Sequence, residues 1–182
     1  MITKSTHLKY EIRILFMLSF ILSLFGCSSK ANSEKNSNSI YPSETFSVLE
    51  ATLKDGTKIV GSINMSYKNY DKKAQYPWCL TISIGLDTMN LFENGLPKEA
   101  ESKIANELED ELVNKIKAIT TAHYIGHIFN RRFLDIYIYL PEPEAANKFL
   151  QSQVNKPGLK RGFAFKIEKD QKWETVSAFL IQ

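Results

Sequence analysis

Two histidines four residues apart, His123 and His127, are the first residues in this chain with the spacing of a chemical site. On a helix, such a pair can clamp a metal ion. Their segment, Ala122 to Phe129, reads instead as a strand, in which the two share a face with Ile125 between them. No Cys or carboxylate pattern nearby completes a ligand set, so they read as sheet-surface or partly buried histidines. A second candidate is acidic: Glu107, Glu109, Asp110 and Glu111. Paired carboxylates do acid–base work when one is held protonated in a cleft. Here Glu107 and Glu111 lie four apart on the polar side of a helical pattern, opposite Leu108 and Leu112, and a solvated helix face is the simpler reading. Arg131-Arg132 could meet a phosphate or an acidic partner, but it stands where a polar turn belongs. No serine-nucleophile elbow, Ser-x-x-Lys, dinucleotide-binding glycine pattern or P-loop occurs. No catalytic residue, cofactor site or metal site is assigned.

The aromatic residues are a different kind of candidate. Phe133, Tyr137 and Tyr139 alternate along one run and so share one strand face, with Tyr124 nearby. If that face is open, it is a surface for a protein partner or a glycan; if the terminal segment or a helix covers it, it is core.

The N-terminus carries chemistry of its own. Lys4, Lys9 and Arg13 precede an apolar run, Ile14 to Phe25, which is too short to span a membrane comfortably and has the length of a secretory leader. Leu24-Phe25-Gly26-Cys27 then resembles the lipobox of bacterial lipoproteins. That resemblance implies a diacylglycerol on the thiol of Cys27 and cleavage that makes Cys27 the first mature residue. Acyl chains on one residue hold a soluble domain to a membrane without a spanning helix. The expected organisation is a signal peptide over 1–26, a flexible tether over 27–43 and one domain over 44–182. The tether is rich in Ser, Asn and Lys and too polar to fold. Ser28, by the enterobacterial sorting rule, permits passage to the outer membrane.

Charge and cysteine content narrow the classes. The 182 residues carry 23 basic and 20 acidic side chains. Without the leader, 20 basic face 19 acidic residues, so the basic balance makes no case for nucleic acid. With Cys27 lipidated, only Cys79 remains; the fold must rest on packing, and Cys79, inside a strand-like run, reads as an inert buried thiol.

The elements that must position these residues follow from periodicity. Phe46 to Leu53 and Ile59 to Met65 flank the Asp55-Gly56 turn as a hairpin. Tyr67 to Gln75 is a polar loop. Trp78 to Leu86 alternates as a strand with one strongly apolar face. Asn94-Gly95 is a turn, and Pro97 suits the first turn of a long helix ending at Ile119, with Ile104, Leu108, Leu112, Ile116 and Ile119 on one face. A second hairpin spans Ala122 to Leu140. Then come a short helix over Glu144 to Val154, a strand at Phe163 to Ile167, and a terminal segment, Trp173 to Leu180, that reads as a helix. The expected class is α+β: a mainly antiparallel sheet with one long helix and one or two shorter helices packed on one face.

Several of these pieces together, namely Tyr76-Pro77-Trp78, Asn94-Gly95-Leu96-Pro97, Leu108-Glu109-Asp110, Arg132-Phe133 to Tyr139 and Asp170 to Trp173, resemble domain-of-unknown-function family 695. The resemblance covers roughly Glu50 to Phe179 and implies no biochemical activity. The expectation is a domain anchored by the lipid on Cys27 in the cell envelope, facing outside the cytoplasm, that binds another envelope component without catalysis. The alternative is an envelope enzyme, hydrolase-like, whose active site sequence does not display.

Overall fold

A computed structural model describes residues 39–53 and 55–181. The leader, Cys27 and most of the tether lie outside the described residues. Among the described residues, no helix is long and apolar enough to cross a membrane.

Six strands form one antiparallel sheet: β1 (Phe46–Thr52), β2 (Lys58–Asn64), β3 (Trp78–Gly85), β4 (His123–Asn130), β5 (Phe133–Leu140) and β6 (Phe163–Lys169). Their order is β1-β2-β4-β5-β3-β6. Two hairpins, β1–β2 and β4–β5, sit side by side, and β3 joins on the far side of β5. One face carries the long helix α1 (Glu99–Ile119) and α2 (Glu144–Gln153). Between helices and sheet lie Leu80, Ile82, Ile84, Leu134, Ile136 and Ile138, all fully buried. Each such side chain stabilises the fold by about 1.5–3 kcal/mol relative to exposure. The α+β expectation holds: the sheet is antiparallel throughout and α1 is the one long helix among the described residues.

Four details differ from expectation. The opposite face is also covered, by the terminal segment with its short helix α3 (Glu174–Ser177), which brings Trp173, Val176 and Phe179 onto Cys79, Ile125 and Tyr139. β3 is therefore apolar on one face and still largely buried on the other. The helix begins at Glu99 after Lys98, because the preceding loop closes on itself: Pro97 bridges Leu91, and the Lys98 amide donates to the Asn90 carbonyl at 2.9 Å. The buried stripe of α1 is Glu101, Ala105, Leu108, Glu109, Leu112, Val113 and Ile116, which leaves Ile119 exposed. Finally, the end of the expected tether packs on the domain. Tyr41 lies against His123, with ring centroids 5.0 Å apart, and the Tyr70 hydroxyl donates to the Ile40 carbonyl.

Candidate functional site

β4 decides where both histidines point. Its pairing with β5 runs His123↔Tyr139 and Tyr124↔Ile138, then jumps to Gly126↔Tyr137 and His127↔Ile136. Ile125 is the extra residue of a β-bulge, and a one-residue insertion inverts the alternation beyond it. Gly126 makes the bulge possible: its φ is +140°, and a Cβ there would lie 2.1 Å from the Ser62 carbonyl oxygen. His123 therefore faces the terminal segment and His127 faces α1. The shared face expected from simple alternation does not exist. Among the described residues, no group of three His, Cys, Asp or Glu could hold a metal ion.

His123 is fully buried in a nest of Tyr41, Tyr67, Tyr70, Tyr76 and Trp173. Its Nδ1 is 3.1 Å from the Tyr67 hydroxyl, and its Nε2 has no hydrogen-bond partner among the described residues. Burial pushes the imidazole down to about 4, so it is neutral at pH 7.

On the other face, Glu109 of α1 is 4 % exposed. Its Oε2 is 2.8 Å from His127 Nδ1, and its Oε1 accepts from the Tyr124 hydroxyl at 2.7 Å. Burial and the Glu109 carboxylate push the Tyr124 hydroxyl upward, which keeps it a donor. The solvated-face reading thus fails for Glu109, which pins helix to sheet. Glu107 stays on the surface with Lys160, and Asp110 and Glu111 are exposed. Glu109 engages one nitrogen of His127, and Ser62 stands directly opposite His127 on β2. A carboxylate-oriented imidazole beside a hydroxyl is the beginning of an acid–base site. Both β2 and β4 are interior strands of the sheet.

The three hairpin aromatics do not form one surface. Tyr139 is fully buried, stacked on Trp173 with centroids 3.9 Å apart, and its hydroxyl donates to Asp170 at 2.6 Å. Tyr137 is half-buried against Phe179. Phe133, at the start of β5 beyond the reach of the terminal segment, remains exposed. Cys79 sits under the same cover, and burial pushes its thiol up to about 11.

Phe133 belongs instead to a tip where loops converge. The Leu86 amide donates to the Arg132 carbonyl at 2.8 Å, and Gly95 backs onto the Arg131 main chain. Arg131, with φ of 59°, turns the β4–β5 hairpin and pairs with Asp55 of the β1–β2 turn. Around this junction Met89 is 81 %, Phe92 57 % and Phe133 48 % exposed. Arg132 extends from the same turn and is exposed.

Two further features escaped the sequence. Arg161 holds Glu101 in a two-pronged ion pair, and Glu101 also accepts from the Asp87 amide at 2.9 Å. That pair lowers the Glu101 carboxyl below the usual carboxylate range. A shallow groove of about 340 Å³ beside edge strand β6 is lined by Trp78, Glu144, Asn147, Gln151, Phe165 and Lys166.

No curated protein and no solved structure matches this chain. Residues 50–181 match the model of a family of unknown function, DUF695. That span takes in all six strands but the start of β1, the ion pairs of Glu101, Glu107 and Glu109 on α1, and the terminal cover. The chain therefore belongs to the family of unknown function DUF695.

Proposed function

We propose that the protein is a lipid-anchored module of the cell envelope that binds another envelope protein and carries out no catalytic step of its own. Cys27 supplies the anchor, on the membrane face outside the cytoplasm. One observation carries the binding reading: Met89, Phe92 and Phe133 stay exposed together at the loop tip, opposite the end where the tether enters. Exposed Met and Phe beside an arginine are the residue types that dominate protein interfaces, and large apolar side chains left in water cost the monomer without a partner. An anchored domain would present this tip away from the membrane.

The test is photo-crosslinking in cells with a reactive residue placed at Phe92, and with a control at exposed Lys148 on α2. One recurrent envelope protein captured from Phe92, and lost on Met89→Ser with Phe133→Ser, is the expected result. Equal capture from both sites, or none from Phe92, refutes it. A second reading, an envelope hydrolase, is favoured only by the Glu109–His127 pair. It requires that a serine-directed phosphonate label Ser62 and that labelling fall with His127→Gln.

A further inference from the structure

The exposed apolar side chains cluster at two ends of the sheet, and the second end has a different neighbour. Phe46 opens β1 opposite Asn64 at the end of β2; β4 begins beside them, and α1 ends four residues before β4. At this end Val48 is 69 %, Ile119 47 % and Phe46 46 % exposed, with Ile40 and Tyr41 close to these values. One ring, that of Tyr124, joins Phe46 to Lys117 at this end. The Phe46 and Tyr124 rings lie 6.2 Å apart, and the Lys117 ammonium stands 5.6 Å from the centre of the Tyr124 ring. Tyr41 packs on His123, on the other face of the sheet from Tyr124.

The chain enters the described domain at this rim. Ser39 is twelve residues beyond Cys27, and a chain of that length reaches at most about 40 Å when fully extended. A domain held that close experiences a high effective concentration of bilayer surface, so even a small apolar rim suffices for docking.

We propose that the rim formed by Phe46, Val48 and Ile119 rests on the surface of the bilayer that anchors the chain, with Tyr41 at the headgroup level and Lys117 reaching toward lipid phosphates. This rests on the anchoring reading given above. Lysine suits the position because its stem covers apolar surface while its ammonium meets the anionic layer. Docking at this rim fixes the orientation of the domain and turns Met89, Phe92 and Phe133 outward.

The experiment is hydroxyl-radical footprinting of the membrane-extracted protein, before and after reconstitution into phosphatidylethanolamine–phosphatidylglycerol vesicles at low protein-to-lipid ratio. Labelling of Phe46, Val48 and Ile119 is expected to fall severalfold in vesicles, while Met89 and Phe92 label equally in both states. Phe46→Ser with Ile119→Ser should restore labelling at Val48. Unchanged labelling of the rim in vesicles overturns the proposal, as does protection that appears only when the protein is crowded, which would mean a second copy. Intact mass of the same sample reports the lipid separately. An unlipidated chain held by its leader sinks the anchoring reading, while the footprint still decides the docking.

Discussion

Lowering the pH from 7.5 to 4.5 isolates the contribution of one buried side chain. His123 titrates near 6.5 in the unfolded chain and is pushed down to about 4 in the folded protein, because the aromatic nest offers its cation no solvation and Nε2 no acceptor. The fold thus favours the neutral imidazole. Its stabilising contribution is complete above pH 6.5, declines as the unfolded chain takes up the proton, and is gone at pH 4. A gap of about 2.5 pH units corresponds to about 3 kcal/mol, of which about 2.5 kcal/mol is lost by pH 4.5. That is a large share of a domain stability on the order of 5–15 kcal/mol. Urea unfolding followed by tryptophan fluorescence at pH 7.5, 5.5 and 4.5 measures it. The reference is the pair Tyr67→Phe with His123→Phe, which removes both hydrogen-bonding partners and leaves neither orphaned. Wild type should lose about 2–3 kcal/mol more than the pair over this range. Equal losses in the two proteins would refute the reasoning and place the acid sensitivity among the carboxylates.

Further substitutions test the remaining ties. Arg161→Met strands the fully buried Glu101 carboxylate and should cost about 3–5 kcal/mol at pH 7, with much of the loss recovered when Glu101→Met is added. Because Arg161 holds the Glu101 carboxyl low, the contribution of this pair is present above pH 4.5 and is lost as pH falls through the folded value, so urea midpoints of wild type and variant should converge in acid. Gly126→Ala, which forces a Cβ against the Ser62 carbonyl at positive φ, should cost on the order of 3 kcal/mol. Gly158→Ala, at φ +90° in open space, should cost about 1 kcal/mol, and thermal melts of the two variants should rank accordingly.

The strands and helices were legible because alternation and the 3.6-residue period survive wherever packing is regular. β5 and the long helix lie where their patterns place them, to within a residue or two. The candidate site was much less legible. The spacing of His123 and His127 carries no sign of the extra residue at Ile125, and only Gly126, a glycine inside a strand, signalled an irregularity. Glu109 lies in the row Ala105, Glu109, Val113, which adjoins the Leu108, Leu112, Ile116 row, so its inward position was available from helix geometry. Its burial depends on Tyr124 and His127, and His127 joins Tyr124 on that face only because of the bulge. The fate of Tyr139 depended on Trp173, more than thirty residues away, and no local pattern reveals which sheet face a terminal segment will cover.

The position of β3 also bears on how the molecule comes to exist. Its neighbours are β5 and β6, both made long after it, and both helices on that face also follow it in the chain. Until Phe133 to Leu140 has emerged, Leu80, Ile82 and Ile84 have no strand to pair with. Until Trp173 arrives, His123 and Tyr139 lack their cover. Such non-local pairing holds back folding until nearly the whole domain has been made. A nascent chain in this state is still threadable through a membrane pore, and it is equally open to wrong pairing along an apolar strand. The topology thus makes the stretch from Trp78 to Gly85 the part of the chain most in need of a chaperone while the rest is made.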